Sequence, residues 1–211
     1  MNRLRPMLPK WNLDLILAYG AVWLGPDQRE RLREYEGLVE RFTQAAGSRC
    51  LQVGVPHGED SKLGATFVAI DLHDRRPCID IRCDLAASPF QSATFDLVVC
   101  NAVLEHVTDP FGCAAEIDRI TAPDGEIWIE VPFVQPYHPF KGWKLKMGPF
   151  MDSPGFEPTA DEDHGGDYWR FTPQGLARLF PRFECVRLML VDEGALAFHG
   201  RSRTQPTSFA G

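Results

Sequence analysis

Short apolar runs alternate with amphipathic stretches along most of the chain. Residues 27–46 carry Leu32, Tyr35 and Leu38 at helical spacing among charged residues, which predicts an amphipathic helix ending at Gly47. The part of the chain that follows contains compact apolar runs, each bounded by Gly, Pro, Asp or Ser, which are typical of buried parallel strands. These runs are residues 50–53, 67–71, 78–83, 95–100 and 126–131.

The remainder of the chain predicts two helices and two more strands. Residues 109–121 place apolar side chains on one face, and residues 172–180 begin with Thr-Pro, a capping hydroxyl followed by a proline in the first turn. Residues 183–191 and 195–199 are strand-like, and the Asp-Glu-Gly between them suits a hairpin. Alternating strands and helices that end in such a pair predict an α/β fold, an open sheet with helices on both faces.

Composition narrows the classes of protein to consider. The 22 Lys and Arg against 29 Asp and Glu give a net charge of -7, which argues against a nucleic-acid partner. The six cysteines stand in no C-x-x-C pair, and they are expected to be reduced thiols in a cytoplasmic protein. The apolar stretch 13–24 is broken by Asp14 and Gly20, so we expect neither a membrane span nor a signal sequence.

The candidate chemistry lies where the predicted strands end. Gly54 and Gly58 follow the first strand in a turn that is expected to open a helix, a setting that favours a nucleotide or an amino-acid carboxylate. Asp71 ends the second strand, near the distance from Gly54 at which an acidic side chain takes ribose hydroxyls. Asp84 ends the third strand, where a carboxylate can accept from an adenine amino group. Together these residues predict a nucleotide site at one edge of the sheet.

The order of these segments resembles the successive motifs of the class I S-adenosylmethionine-dependent methyltransferases. The resemblance covers roughly residues 49–190. It is carried by Leu-Gln-Val-Gly at 51–54, Ala-Ile-Asp-Leu at 69–72, Cys-Asp-Leu at 83–85, Phe-Asp-Leu-Val-Val-Cys-Asn at 95–101, Leu-Glu-His-Val at 104–107 and Gly-Glu-Ile-Trp-Ile-Glu-Val-Pro at 125–132.

This resemblance implies a Rossmann-like, doubly wound, mostly parallel sheet of seven strands with a C-terminal antiparallel hairpin. It implies S-adenosylmethionine as the cofactor, with contacts to its methionine part, its ribose, its adenine and the end of the fourth strand. The residues implied, in that order, are Gly54 and Gly58, then Asp71, then Asp84, then Asn101 and Leu104.

Two residues depart from the family pattern in its first motif. Gln52 stands where relatives usually carry an acidic residue, and Pro56 stands where they carry a glycine. Glutamine forms no ion pair with the cofactor's ammonium group, and proline removes a backbone donor. These departures favour an alternative, a non-catalytic member of the fold that acts as a binding or scaffold partner. A nicotinamide-dependent oxidoreductase fits less well, because a full G-x-G-x-x-G is lacking.

Residues 133–171 are rich in aromatic side chains and show neither helical nor strand period, which predicts a lid over the substrate. The strings at 131–139 and 167–173 resemble a subgroup of methyltransferase-like proteins associated with bacterial surface-glycan assembly. The resemblance implies that a small molecule or a glycan hydroxyl is methylated.

An oxygen acceptor needs a base, and His106 and His138 are the candidates because histidine titrates near neutral pH. For His106 the alternative is a helix-capping or packing role.

Four residues at the two ends of the lid are candidates for substrate binding. Tyr137, Tyr168 and Trp169 are able to stack on a sugar or on the cofactor, and Arg170 is able to hold an acidic group. The alternative is structural: the aromatic side chains pack the lid onto the domain, and Arg170 pairs with Asp167.

The acidic run 161–167 lacks the spacing of a calcium loop, and Glu105 beside His106 lacks a further carboxylate at position 102, so we expect no metal. The predicted organisation is an N-terminal helical extension over residues 1–47, a methyltransferase-like domain over 48–200 with the lid at 133–171, and a loose tail over 201–211.

Overall fold

A computed structural model describes residues 28–56, 61–135, 167–191 and 194–203. Within these ranges the helices are α1 (Gln28–Gln44), α2 (Pro110–Ile120) and α3 (Pro173–Leu179). The strands are β1 (Cys50–Val53), β2 (Phe67–Asp71), β3 (Ile81–Arg82), β4 (Phe95–Asn101), β5 (Thr121–Pro132), β6 (Phe183–Val191) and β7 (Ala195–Ser202). None of the helices in the described ranges has the length and apolar character needed to cross a membrane.

The seven strands form one mixed sheet in the order β3-β2-β1-β4-β5-β7-β6. The first five strands pair in parallel, and β7 pairs antiparallel with both β5 and β6. The predicted α/β class and mostly parallel sheet are therefore confirmed. The predicted hairpin matches in part: β6 and β7 pair, but β7 lies between β5 and β6, so that β6 becomes the edge of the sheet.

Apolar side chains fill both faces of the sheet. One face packs against α2 and α3 and contains the larger core cluster, with Val98, Ile117 and Leu176 fully buried. The other face packs against α1, where Leu38 contacts the cluster that includes Trp128. Burial on two faces explains why the central strands are continuous apolar runs rather than alternating ones.

The connection between β1 and β2 departs from the prediction, because residues 54–56 and 61–66 contain no helix. Pro56 and Gly64 flank it, and both residue types have low helix propensity. Between β3 and β4 the described chain forms only a short 3-10 helix, Leu85–Ala87. Within the described ranges, the β1–β2 and β3–β4 connections thus contain less helix than the alternating pattern predicted.

Three strand boundaries also differ from the prediction, and one of them is the start of β5 at Thr121, before the predicted start at Glu126. The third strand is only two residues long, because the chain before Ile81 forms turns. At the other end of the sheet, β7 continues through Arg201 and Ser202, which the sequence had assigned to a loose tail. Ladder pairing extends β7, since Arg201 lies opposite both Glu126 of β5 and Glu184 of β6.

Two arginine–glutamate pairs fix α1 across β5. Arg31 Nε donates to Glu130 Oε1 at 2.9 Å, and Arg41 Nη2 donates to Glu126 Oε2 at 2.7 Å. Trp128 lies between the two glutamates in sequence, and its indole N–H donates to Glu130 Oε1 at 2.9 Å. Charge pairing thus adds orientation to the apolar packing, which by itself is not directional.

Glu126 is the centre of a buried charge cluster. Its carboxylate accepts from Arg41, from Arg201 Nε at 3.1 Å and from His199 Nε2 at 2.6 Å. Burial acts to raise the pKa of Glu126, but the hydrogen bonds from His199 and Arg41 outweigh burial and hold the pKa at about 2. The carboxylate is therefore charged in the folded protein at any ordinary pH.

Replacing Glu126 with Gln is expected to lower the free energy of unfolding at pH 7 by about 2 kcal/mol, because the half-exposed Arg41 and Arg201 and the buried His199 lose their charged partner. The folded-state pKa of Glu126 lies below its ordinary value of 4.5, so the stabilisation is complete above that value and disappears as the pH falls toward about 2. Urea unfolding at several pH values between 7 and 3 measures this trend.

Glu36→Gln, an exposed change on α1, is the control and should leave stability unchanged. A constant difference between Glu126→Gln and the native protein across this pH range would contradict the assignment.

Candidate functional site

Gly54 lies between two polar residues at the carboxyl ends of the neighbouring strands. Val53 is in register with Ile70 of β2 and with Cys100 of β4, so the next residues, Asp71 and Asn101, flank Gly54 on its two sides. The Gly54 amide donates to Ile70 O at 2.8 Å, which carries the β1–β2 ladder to this point. The register therefore brings together three of the predicted cofactor residues.

This row of residues continues across the sheet on the face that α1 covers. Asn101 is in register with Glu130, the partner of Arg31. Because side chains alternate along a strand, Glu130 shares the face of Trp128, and Asn101 shares the face of Val99. Trp128 and Val99 both belong to the cluster beneath α1. The start of α1 is thereby fixed beside the candidate site.

Gly54 has a backbone conformation and a contact that both favour glycine. Its φ angle is +73°, in the left-handed region, and a Cβ at this position would lie 3.0 Å from Val103 Cγ2. Val103 belongs to the segment that follows β4. This segment therefore lies close to the end of β1 and narrows the space around the predicted nucleotide turn.

Asn101 carries a buried acceptor that nothing in the described part of the chain satisfies. Its Oδ1 atom is buried and lacks a hydrogen-bond partner there. Such atoms are uncommon, because a buried acceptor without a donor costs about 1–3 kcal/mol. A ligand N–H or O–H beside Gly54 would remove this cost.

The two predicted carboxylates each organise the turn that follows them. Asp71 Oδ1 accepts from the backbone amides of His73 and Asp74, both at 2.8 Å. Asp84 Oδ1 accepts from the Ala86 amide at 2.9 Å and caps the 3-10 helix. These contacts use one oxygen of each group. The second oxygen of Asp71 has no partner in the ranges that the structure describes, and it remains able to accept from ribose hydroxyls.

Gln52, the first departure from the family pattern, has a structural partner. Its side chain is 3% exposed, and its Oε1 atom accepts from the Leu63 amide at 2.9 Å. Gln52 therefore holds the β1–β2 connection against β1. The sequence did not reveal this role, because it shows only a polar residue within a predicted buried strand.

Arg76 was not predicted to take part in the site. Its Nη2 donates to Val55 O at 2.6 Å and its Nη1 donates to Pro56 O at 3.2 Å, while its Nε donates to Asp74 Oδ2 at 2.7 Å. The second departure, Pro56, is exposed, and its carbonyl is held by this arginine. No spacing in the sequence indicates these contacts.

The segment after β4 contains Leu104, Glu105 and His106. Leu104 is fully buried and belongs to the large core cluster, so core packing accounts for its apolar character. Glu105 is also buried, and His106 Nε2 lies 3.7 Å from its Oε1 atom. The His106 amide donates to Val103 O at 2.9 Å in a tight turn. His106 therefore lies beside a buried carboxylate.

Residues 168 and 169, at the C-terminal end of the predicted lid, are anchored on this same segment. The Tyr168 amide donates to Glu105 O at 2.8 Å, and the Trp169 indole N–H donates to Val107 O at 2.8 Å. The Tyr168 side chain is 44% exposed, whereas Trp169 packs against the core. Trp169 thus has the packing role that was the alternative to stacking on a ligand, and Tyr168 keeps an open ring at the edge of the site.

Arg170 pairs with Asp167, as the structural interpretation predicted. Its Nη2 donates to Asp167 Oδ2 at 2.6 Å, and its Nε donates to Gln135 O at 2.9 Å. Hydrogen bonding to Asp167 raises the pKa of Arg170 and outweighs the opposing effect of burial. Arg170 joins the two ends of the lid, since Gln135 follows β5 and Asp167 precedes α3.

Three predicted residues, Gly58, Tyr137 and His138, lie outside the described residues, as does most of the acidic run 161–167. Their roles stay predictions. Within the described ranges, no group of three or more His, Cys, Asp or Glu side chains is arranged to hold a metal ion.

Comparison with known proteins gives a consistent result. Residues 53–129 match a family described as a methyltransferase domain. A demethylmenaquinone methyltransferase from Renibacterium salmoninarum is 31% identical over 118 residues, which are 49% of this chain and 49% of that protein. The chain thus spans about half the length of the curated relative that it matches.

Solved structures share the fold. A 1,6-didemethyltoxoflavin-N1-methyltransferase from Burkholderia thailandensis, with bound 1,6-didemethyltoxoflavin and S-adenosylhomocysteine, matches with a TM-score of 0.52 and 19% identity over 88% of this chain and 90% of that one. A SAM dependent methyltransferase from Aquifex aeolicus matches with a TM-score of 0.51 and 14% identity over 85% of this chain and 95% of that one. These likenesses establish a Rossmann-like methyltransferase fold.

Replacing Gly54 with Ala is expected to destabilise the protein by about 2 kcal/mol, because alanine is strained at this φ angle and its Cβ meets Val103. Gly47→Ala is a matched control: its φ angle is +81°, but a Cβ there meets nothing within 4 Å. Chemical denaturation should show a loss that is about 1 kcal/mol larger at Gly54 than at Gly47. Equal losses would mean that Val103 does not constrain the glycine.

Proposed function

We propose that this chain, whose residues 53–129 match the methyltransferase domain family within a class I fold, methylates a small molecule or a glycan with S-adenosylmethionine as the donor. The observation that carries the proposal is the row Asp71, Gly54 and Asn101 at the point where the strand order reverses. Ligands of open α/β sheets bind at such points, outside the carboxyl ends of the strands.

The residues of this row fit an adenosyl cofactor. Gly54 permits close backbone approach, and the unpartnered oxygen of Asp71 is suited to ribose hydroxyls. Asn101 Oδ1 supplies a buried acceptor that requires a donor. Asp84 is exposed just beyond β3, where its carboxylate is suited to an adenine amino group.

Gln52 accounts for one departure from the family pattern without removing the site. Its hydrogen bond to the Leu63 amide gives it a role in holding the β1–β2 connection. The family's ion pair to the cofactor ammonium is therefore replaced by neutral contacts, and Asn101 Oδ1 is the candidate acceptor. We expect weaker cofactor affinity than in relatives with an acid at this position, because hydrogen bonds to charged acceptors are roughly twice as strong.

When bound, the cofactor supplies an activated methyl group on a sulfonium. The chain's own task is to position the acceptor and to receive its proton, since a hydroxyl becomes nucleophilic as its proton leaves. His106 and His138 are the proposed bases. His106 lies in the segment that contacts the C-terminal end of the predicted lid, where Tyr168 presents an exposed ring.

Two observations bear on the acceptor. The similar proteins are named for demethylmenaquinone and 1,6-didemethyltoxoflavin, and neither name refers to a glycan. The glycan association rests on the strings at both ends of the lid. Arg170 is paired with Asp167, which favours an uncharged acceptor over an acidic one at this end of the lid.

Replacing Asp71 with Ala is expected to weaken S-adenosylhomocysteine binding at least tenfold, because the ribose acceptors and the cap of the turn are both lost. Asp71→Asn separates these effects: its amide oxygen still accepts from the His73 and Asp74 amides, but its NH2 group accepts nothing. Titration calorimetry on both variants measures the change.

Asp96→Asn serves as the control, because Asp96 lies near the start of β4, whereas the candidate site lies where the strands end. The Asp96 carboxylate accepts from the Arg49 amide. Native affinity in Asp71→Ala would show that the site is misplaced. If circular dichroism shows that the native protein is folded and it still does not bind S-adenosylhomocysteine, the methyltransferase proposal is excluded.

His138→Ala should lower turnover more than cofactor affinity if His138 is the base, because its role begins only when the acceptor is present. His106→Gln tests the second candidate in the same assay. The variant that lacks the base should lose the acidic limb of the pH–rate profile of the native enzyme. Weaker cofactor binding with unchanged turnover would exclude the substituted histidine as the base.

A further inference from the structure

The connection between β1 and β2 is held by side chains at places where α/β folds usually use a helix. At its far end, the Leu63 amide is bound by Gln52 at 2.9 Å and the Lys62 amine contacts Asp80 Oδ2 at 2.6 Å. Asp80 Oδ2 also accepts from the Ala69 amide of β2 at 2.8 Å. Side chains from β1 and from the β2–β3 connection therefore fix this end of the loop.

At its near end, the loop is held through a chain of hydrogen bonds that starts at Asp71. Asp71 Oδ1 accepts from the Asp74 amide, and the Asp74 carboxylate accepts from the Arg76 guanidinium at 2.7 Å. Arg76 in turn donates to Val55 O at 2.6 Å and to Pro56 O at 3.2 Å. The carboxylate at the end of β2 is thus linked to the backbone that follows Gly54.

The chemistry of this bridge requires arginine. A guanidinium is planar and carries five N–H donors in a fixed geometry, so it binds a carboxylate and two carbonyl oxygens at once. Proline has no amide hydrogen, so Pro56 contributes no backbone donor, and its ring fixes its φ angle. Val55 and Pro56 offer their carbonyl oxygens as acceptors, and Arg76 is the donor to both.

We propose that Arg76 is a positioning residue, which holds the Gly54–Pro56 backbone at a fixed distance from Asp71 and so sets the width of the cofactor site. This inference rests on the proposed function for its consequence, but the bridge itself exists without a ligand. Arg76 acts through Val55, Pro56 and Asp74 rather than by touching the reacting atoms.

The test compares Arg76→Lys and Arg76→Ala with Arg75→Lys and Arg75→Ala. Arg75 is the neighbouring residue in the same β2–β3 connection, and it is exposed. Substituting Arg75 therefore makes the same change in charge without removing the bridge. Lysine at position 76 keeps the charge but has all its donors on one nitrogen, so it cannot reach Asp74, Val55 and Pro56 from three separate nitrogens as Arg76 does, and it protects the test if the alanine variant folds poorly. Thermal unfolding of all four variants checks that they are folded.

The first readout is independent of any ligand. Hydrogen exchange at the Gly54 amide, which donates to Ile70 O, and at the Asp74 amide, which donates to Asp71 Oδ1, should accelerate about fivefold or more in both Arg76 variants, and it should not change in the Arg75 variants. Unchanged exchange in the Arg76 variants overturns the inference, whether or not the native protein binds a cofactor.

The second readout uses S-adenosylhomocysteine and S-adenosylmethionine. The dissociation constants of both compounds, measured by titration calorimetry, should rise about tenfold in the Arg76 variants and stay within about twofold of native in the Arg75 variants, since the geometry of the donor site is what has been lost. Faster exchange with native affinity overturns the positioning role. If the native protein binds neither compound, the proposed function fails, and with it the link from Arg76 to a cofactor.

Discussion

Strand β1 is hydrogen-bonded in parallel on both sides, to β2 and to β4, and the rest of the architecture depends on this pairing. Chain order runs outward from β1 in two opposite directions, so the connections that leave the neighbouring strands β1 and β4 diverge. A crevice forms where they separate. Gly54 stands at its base, and the neighbouring strands contribute Asp71 and Asn101 to its walls. The candidate site is therefore a consequence of the strand order.

The position of α1 on the sheet is fixed by charge as well as by apolar contact. The α1 helix packs over Trp128, and two of its arginines, Arg41 and Arg31, pair with Glu126 and Glu130 on β5. Glu130 is also in register with Asn101, so one residue connects the helix to the row of site residues. Apolar burial supplies most of the driving force, while the ion pairs select one orientation of the helix on the sheet.

Much of the fold follows from the sequence, because strands that are buried on both faces must be apolar over their whole length. Apart from the helix expected after Gly54, most strand and helix segments were predicted within a few residues, and Asp71, Gly54 and Asn101 were predicted to meet. What the sequence did not reveal depends on contacts between distant residues. Gln52 resembles a defect in the first motif until its bond to Leu63 is seen, and Arg76 is an ordinary loop arginine until it meets Val55 and Pro56. Likewise, Leu104 is a core residue whose burial no local pattern distinguishes from a ligand contact.

The position of β7 has a consequence for how the sheet is completed during synthesis. β6 pairs only with β7 in the described sheet, yet a ribosome delivers β6 first. Until β7 emerges, nine residues of β6 have no neighbour and the outer edge of β5 is open. Such open edges invite association between nascent chains. Insertion of β7 pairs the open edges of β5 and β6 at once. Association between nascent chains is therefore most favoured before β7 has been synthesised, above all where translating ribosomes are crowded together.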